Sequence, residues 1–75
     1  MDIISIRQEA RSKKIALIQK SITEALEKGH EINYKGIIMA TRANLNISDR
    51  TAKEYVNLAL YNLHLRKDLN EIRPD

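Results

Sequence analysis

The sequence predicts an all-α protein, a three-helix bundle with extended N- and C-terminal helices in a single domain of residues 1–75. Residues 2–28 contain neither Pro nor Gly, the two residues that most often interrupt helices. Apolar residues recur at spacings of three and four from Ile15 to Leu26 and again from Ala52 to Leu63, which is the period of an amphipathic helix. No strand is needed to account for the pattern.

The core-facing stripe of the first predicted helix begins only near Ile15. Projecting it backwards in steps of three and four reaches charged residues, which are rarely buried in a core. Residues 1–13 are therefore predicted to form a basic lead-in, which either continues the helix or bends away from it. It contains Arg7, Arg11 and Lys13, and Lys14 follows it directly. They form either an ordinary solvated helix face or a secondary basic patch that contacts phosphate.

Local signals predict where the helices begin and end. Gly29 should end the first helix, because glycine adopts left-handed backbone angles without steric cost. Asn33 can cap a second helix that covers about Tyr34 to Ala43, with Ile37, Ala40 and either Ile38 or Ala43 facing inward. Residues 44–46 are predicted to be a turn in which Leu45 fills the corner between helices. Ser48 can cap the third helix.

The third predicted helix carries a polar face opposite its core stripe. In its first half this face consists of Arg50, Lys53, Glu54 and Asn57. Nothing nearby in the sequence requires these side chains for folding. They form either an ordinary hydrated surface or a surface that contacts a ligand.

Composition limits the classes of partner. The chain has 13 Lys and Arg against 10 Asp and Glu, a formal net charge of +3 and no cysteine. The charge permits a polyanionic partner without requiring one, and the lack of cysteine favours an intracellular setting. No apolar run approaches the roughly 20 residues that span a bilayer. We expect a cytoplasmic protein with no membrane partner.

Catalytic and metal chemistry have little support in the sequence. His30 and His64 are far apart in the sequence, and neither has a ligand pair near it. No glycine-rich phosphate loop or nucleophile with an adjacent base can be identified. The sequence therefore predicts no enzymatic activity, no metal, no cofactor and no small-molecule substrate.

The segment from Ile37 to Leu60, IIMATRANLNISDRTAKEYVNLAL, resembles the helix-turn-helix of small archaeal and bacterial DNA-binding proteins. Ala40 stands where that family has a small residue at the helix crossing, and Thr51-Ala52 enters the second helix. Asn44 stands where the family pattern has Gly. The resemblance implies a helix-turn-helix over residues 34–60 without a wing, since we expect no β-hairpin before the chain ends.

The resemblance also implies a DNA-binding surface. The helix from Ser48 to Leu60 would lie in the major groove with its N-terminal residues nearest the bases. Arg50 would contact guanine and Asn57 adenine, while the cationic side chains nearby would contact phosphate. The full predicted set is Arg50, Lys53, Asn57, Thr51, Ser48, Arg42 and Lys35.

A second apolar stripe continues on the polar side of the third helix, through a predicted C-terminal helical extension of residues 61–72. Its members are Leu58, Tyr61, Leu65, Leu69 and Ile72. Their spacing resembles that of a coiled coil, so the first four are predicted to form a partner interface. This stripe could be covered by one of three partners: the segment containing Ile3, Ile6 and Ala10, a second copy of the chain, or a larger protein. We favour a homodimer.

Two functions follow from the sequence. The first is a small protein that binds double-stranded DNA as a dimeric helix-turn-helix transcription regulator. The alternative is a non-catalytic accessory subunit that docks on a larger nucleic-acid enzyme, such as a DNA polymerase.

Overall fold

Three α-helices are followed by a β-hairpin. The computed structural model describes residues 3–75, with side chains described from Glu9 onward. The elements are α1 (Ile3–Glu27), α2 (Tyr34–Leu45), α3 (Asp49–Asn62), β1 (Leu65–Asp68) and β2 (Glu71–Pro74). The two strands are antiparallel and pair Leu65 with Pro74 and Asp68 with Glu71. The protein is therefore mostly helical, as predicted, but it is not purely all-α.

Short-range signals place the helix ends. Gly29 has a φ of 73°, and the chain closes α1 with a hydrogen bond of 2.9 Å from the His30 N–H to the Ala25 carbonyl. Asn33 caps α2, since its Oδ1 accepts a bond of 2.7 Å from the Gly36 N–H. These predictions are confirmed. α2 runs two residues beyond the predicted Ala43 to Leu45, and Asn46, whose φ is 52°, caps its C-terminus.

α1 is continuous from Ile3, so the basic lead-in of residues 1–13 continues the helix over the part that the structure describes. The core-facing stripe still begins where the sequence places it. Ile15 is half-buried and Ile18 and Ile22 are buried, whereas residues 9–13 are exposed. The N-terminal turns of α1 therefore carry their basic side chains in solvent.

The core lies where α1 and α2 pack against α3. Its buried apolar side chains are Ile18, Ile22, Ile38, Ala52, Val56, Ala59 and Leu60. The stripe predicted on the third helix is thus confirmed, and its two alanines let the neighbouring helices approach closely. The placement of Ala40 at the helix crossing is wrong, because Ala40 is exposed and Thr41 beside it is buried. Leu45 packs against the core as expected, although it lies within α2.

The predicted C-terminal helical extension of residues 61–72 is wrong, and so is the expectation that no hairpin follows the third helix. α3 ends at Asn62, and His64, with a φ of 57°, turns the chain into β1. The hairpin forms because its half-buried Leu65 and Ile72 pack against the helical core. A helix would have carried these two side chains away from that core.

The second apolar stripe is consequently not a single helical face. Leu65 lies in β1 against the core, and Leu69 lies in the turn between the strands, where it is 88% exposed. Leu58 and Tyr61 remain on the exposed side of α3. The predicted partner interface of Leu58, Tyr61, Leu65 and Leu69 therefore does not exist as one continuous surface.

None of the helices in residues 3–75 combines the length and the apolar character that crossing a membrane requires.

Candidate nucleic-acid interface

The outer face of α3, defined by Arg50, Lys53, Glu54 and Asn57, is exposed to solvent. It is exposed because the opposite side of the helix supplies Ala52, Val56 and Ala59 to the core. The sequence predicted this division of the helix, and the structure confirms it. The contacts of these side chains with DNA bases stay predictions.

Ser48 and Thr51 hold the first turn of α3 in place. The Ser48 Oγ accepts a hydrogen bond of 3.2 Å from the Thr51 N–H and donates one of 3.0 Å to the Thr51 Oγ1. This cap satisfies a backbone donor that the helix cannot satisfy itself. Both residues, predicted to contact DNA, thus have a structural task at the N-terminus of α3.

Two cations from different helices meet at Asp49. The Arg42 Nη1 of α2 lies 3.7 Å from the Asp49 Oδ1, and the Lys53 Nζ of α3 lies 3.0 Å from the Asp49 Oδ2. All three side chains are about half exposed. Exposed ion pairs of this kind contribute little to stability, so an incoming anion can compete for the two cations.

Lys35 belongs to the same surface. A shallow depression between α2 and the start of α3 is lined in part by Lys35, Arg42, Asp49 and Lys53. The structure therefore brings together the three residues predicted to contact phosphate. We call Lys35, Arg42 and Lys53 the basic surface. It lies beside the N-terminus of α3, whose helix dipole also favours negative charge.

Tyr34 joins the hairpin to the outer face of α3. Its hydroxyl donates a hydrogen bond of 2.8 Å to the Oδ1 of Asn57. The Lys67 Nζ of β1 lies 4.4 Å from the centroid of the Tyr34 ring, a distance that suits a cation–π contact. Three elements thus meet at one aromatic side chain, and Lys67 adds a cation next to the predicted recognition surface.

The turn of the hairpin is attached to the first turn of α2. The Tyr34 N–H donates to the Asn70 carbonyl at 2.9 Å, and the Lys35 N–H donates to the Asn70 Oδ1 at 2.8 Å. An isolated antiparallel bridge also joins Asn33 to Glu71. Because Asn70 accepts two of the donors that begin α2, the hairpin is held in a fixed position beside the basic surface.

The acidic residues of the hairpin are paired within it. Arg73 forms ion pairs with Asp68, at 3.6 Å, and with Glu71. These contacts reduce the negative potential that Asp68 and Glu71 would otherwise add near Lys67. Arg66 is exposed on the same hairpin.

The predicted secondary basic patch lies elsewhere. The Arg11 guanidinium carbon is 5.8 Å from the ring centroid of Tyr55, and Tyr55 is about 140° around α3 from Arg50 at 100° per residue. Lys13 is exposed and Lys14 is half-buried on α1, while the side chain of Arg7 lies outside the described residues. The structure therefore does not join Arg11 to the outer face of α3.

Sequence reasoning missed Tyr34, Lys67 and Asn70 as parts of this surface. The available signal was the polar turn Asp68-Leu69-Asn70 between two segments that each contain one inward-facing apolar residue. One apolar residue per strand is too few to show the alternation by which strands are recognised.

Among the described residues, no three His, Cys, Asp or Glu side chains come close enough together to hold a metal ion. Comparison of the chain with protein-family models, curated proteins and solved structures gives no match. Similarity therefore assigns no function to the chain. The geometry of the basic surface and its neighbours is what bears on function.

Proposed function

We propose that this protein binds double-stranded DNA as a small transcription regulator, with the outer face of α3 in the major groove and the hairpin acting as a short wing. The observation that carries the proposal is the convergence of Lys35, Arg42 and Lys53 beside the N-terminus of α3. Two parallel rows of phosphates border the groove that an α-helix enters. Cations at the edge of such a helix are therefore in a position to contact phosphate while the helix contacts bases.

The roles of individual residues follow from their positions. Arg50 offers a guanidinium to guanine, and Asn57 offers its amide to adenine. The Asn57 Oδ1 already accepts from Tyr34 and retains a second lone pair, so the Tyr34 bond orients the amide without blocking it. When DNA binds, Arg42 and Lys53 give up their ion pairs with Asp49 and contact phosphate instead.

The proposal can be tested by fluorescence anisotropy, titrating the full chain into labelled duplex DNA at several salt concentrations. Lys53→Ala and Lys35→Ala should each weaken binding and reduce the slope of log K against log salt by about 0.9, the contribution of one phosphate contact. Arg50→Ala should weaken binding to a preferred sequence more than to other sequences. Asp49→Asn should strengthen binding, because the anion that competes with phosphate is removed.

Lys28→Ala is the matched control, because Lys28 is exposed just after α1 and the substitution removes the same charge. It should leave affinity and salt slope nearly unchanged. Circular dichroism of every variant establishes that the helices persist. Absence of duplex binding at low salt would refute the proposal, as would an equal loss for Lys28→Ala and Lys53→Ala.

The accessory-subunit alternative is favoured by one observation, the exposure of Leu58 and Tyr61 on the second half of α3. An apolar contact there would join the protein to a larger nucleic-acid enzyme. In that case Tyr61→Asp would abolish association with the enzyme, and Arg50→Ala would have little effect on function. Under the regulator proposal, Arg50→Ala has the larger effect on duplex binding.

A further inference from the structure

An apolar groove of about 340 Å³ runs between α1 and α2 on the side away from the basic surface. Both helices pack on α3, but the space between them is open. Its walls include Leu17, Ser21 and Ala25 of α1 and Gly36, Ala40 and Asn44 of α2. Leu17 is 56% exposed there, so its side chain is accessible to a partner.

The α2 wall of the groove is shaped to receive a helix. Gly36, Ala40 and Asn44 follow one another at intervals of four, so they form one row along α2. The axes of packed helices are usually about 8–10 Å apart. Small side chains in such a row let a second helix approach to the short end of that range. The groove therefore favours a helix with larger aliphatic side chains as its occupant.

The distribution of charge along α1 favours α1 of a second copy as the helix in the groove. Residues 9–14 carry three basic side chains and one acidic one, and residues 24–31 carry three acidic side chains and one basic one. Two copies of α1 packed in the same direction would place like charges together. Two copies packed in opposite directions would place the basic part of each beside the acidic part of the other, which is favourable at both ends.

An antiparallel arrangement also agrees with the geometry of the groove. If the turn at Lys13 and Lys14 lies opposite the partner's Glu24, the two-fold axis passes near residue 19. Leu17 of each copy then meets the partner's wall near Ser21. Such an interface is the same on both copies, as two-fold symmetry requires.

We propose that the groove between α1 and α2 is a homodimer interface, in which α1 of a second copy packs antiparallel to α1 and places Leu17 in the groove. The basic surface stays free, because the row containing Ala40 lies on the other side of α2 from Lys35 and Arg42. The dimer then presents two basic surfaces, one from each copy. This inference does not depend on the proposed function, and its test contains no DNA.

Size-exclusion chromatography with light scattering on the full chain tests the proposal through charge reversal. Lys13→Glu with Lys14→Glu makes both ends of the interface acidic. Glu24→Lys with Glu31→Lys makes both ends basic, and Glu31 itself lines the groove. Each double variant alone should be monomeric at concentrations where the wild type is dimeric. An equimolar mixture of the two variants should again be dimeric, because each basic end then faces an acidic end.

A double reversal outside the groove serves as the control. Arg50→Glu with Arg66→Glu changes the net charge by the same amount as the Lys13 and Lys14 variant, and it should stay dimeric. Ala40→Glu, at an exposed position of α2, should make the protein monomeric without a loss of helical circular dichroism. A wild type that is monomeric at high micromolar concentration would overturn the proposal. So would a monomeric mixture of the two charge-reversed variants, or dimers formed by each variant alone.

Discussion

Leu69 is held in a backbone conformation that its side chain disfavours. Its φ is 58°, and it lies at the tip of the hairpin with 88% of its surface exposed. A non-glycine residue in the left-handed region costs about 1–2 kcal/mol, and Asn or His tolerates the region better than Leu does. Asn46 and His64, the other two non-glycine residues with positive φ among residues 3–75, are of these tolerant types. Of these three residues, Leu69 is the one whose side chain disfavours a positive φ.

Replacing Leu69 with glycine should therefore stabilise the protein. Glycine adopts a φ near 58° without steric cost, and the exposed leucine side chain loses little packing on removal. We expect Leu69→Gly to raise the free energy of unfolding by about 0.5–1 kcal/mol, as measured by urea denaturation. Leu58→Gly is the matched control, and it should lower stability because Leu58 lies inside α3. A lower stability for both variants would contradict this account of the turn.

At the scale of elements, the hairpin depends on its attachment to α2. Asn70 accepts hydrogen bonds from the backbone of Tyr34 and Lys35 through its carbonyl and side-chain oxygens. It therefore caps α2 from a distance of 35 residues along the chain, in addition to the local cap from Asn33. The position of Lys67 over Tyr34 depends on this attachment.

Asn70→Ala removes the side-chain acceptor for the Lys35 N–H while the backbone bond to Tyr34 remains. We expect a loss of about 0.5–2 kcal/mol in the free energy of unfolding, the usual cost of removing a helix cap. Hydrogen exchange should be faster at the Lys35 amide in particular. Asn44→Ala, an exposed change of the same type within α2, should not reduce stability. Unchanged exchange at Lys35 in Asn70→Ala would show that the bond does not hold the hairpin.

The difference between the helices and the hairpin explains what the sequence could predict. Asn33 and Ser48 bond to backbone groups three residues away, so their capping can be seen in any short window of sequence. The hairpin instead depends on contacts of Leu65 and Ile72 with a core built from residues 18–60. Such contacts leave no local signal, and the polar stretch between them fits a helix as well as a turn.

The candidate nucleic-acid interface was also predictable from the sequence only in part. The exposed residues Arg50, Lys53 and Asn57 follow from helical period alone, because the buried face of α3 fixes the opposite face. The part contributed by Tyr34 and Lys67 required the hairpin to be in place. For that reason the sequence identified the helical half of the surface and missed the half that joins it to the hairpin.

The whole molecule has a small core for an independent domain. Seven apolar residues are buried, two of them alanine, and Val56 is the largest side chain with under 2% exposure among the described residues. A chain of this size buries a smaller share of its surface than a larger domain does. Covering Leu17 and the groove beside it would enlarge the buried apolar surface of each copy. Dimerisation would in this way contribute to the stability of the fold as well as to the number of basic surfaces.

This linkage predicts that thermal stability depends on protein concentration. An association that involves only the folded chain shifts the unfolding equilibrium by mass action, so the melting temperature should rise as the concentration is raised. Circular dichroism melts over a hundredfold range of concentration would measure the effect, and the Lys13→Glu, Lys14→Glu variant should show none. If the wild type melts at one temperature across the range, the core formed by α1, α2 and α3 suffices for the single chain. The groove would then contribute nothing to its stability.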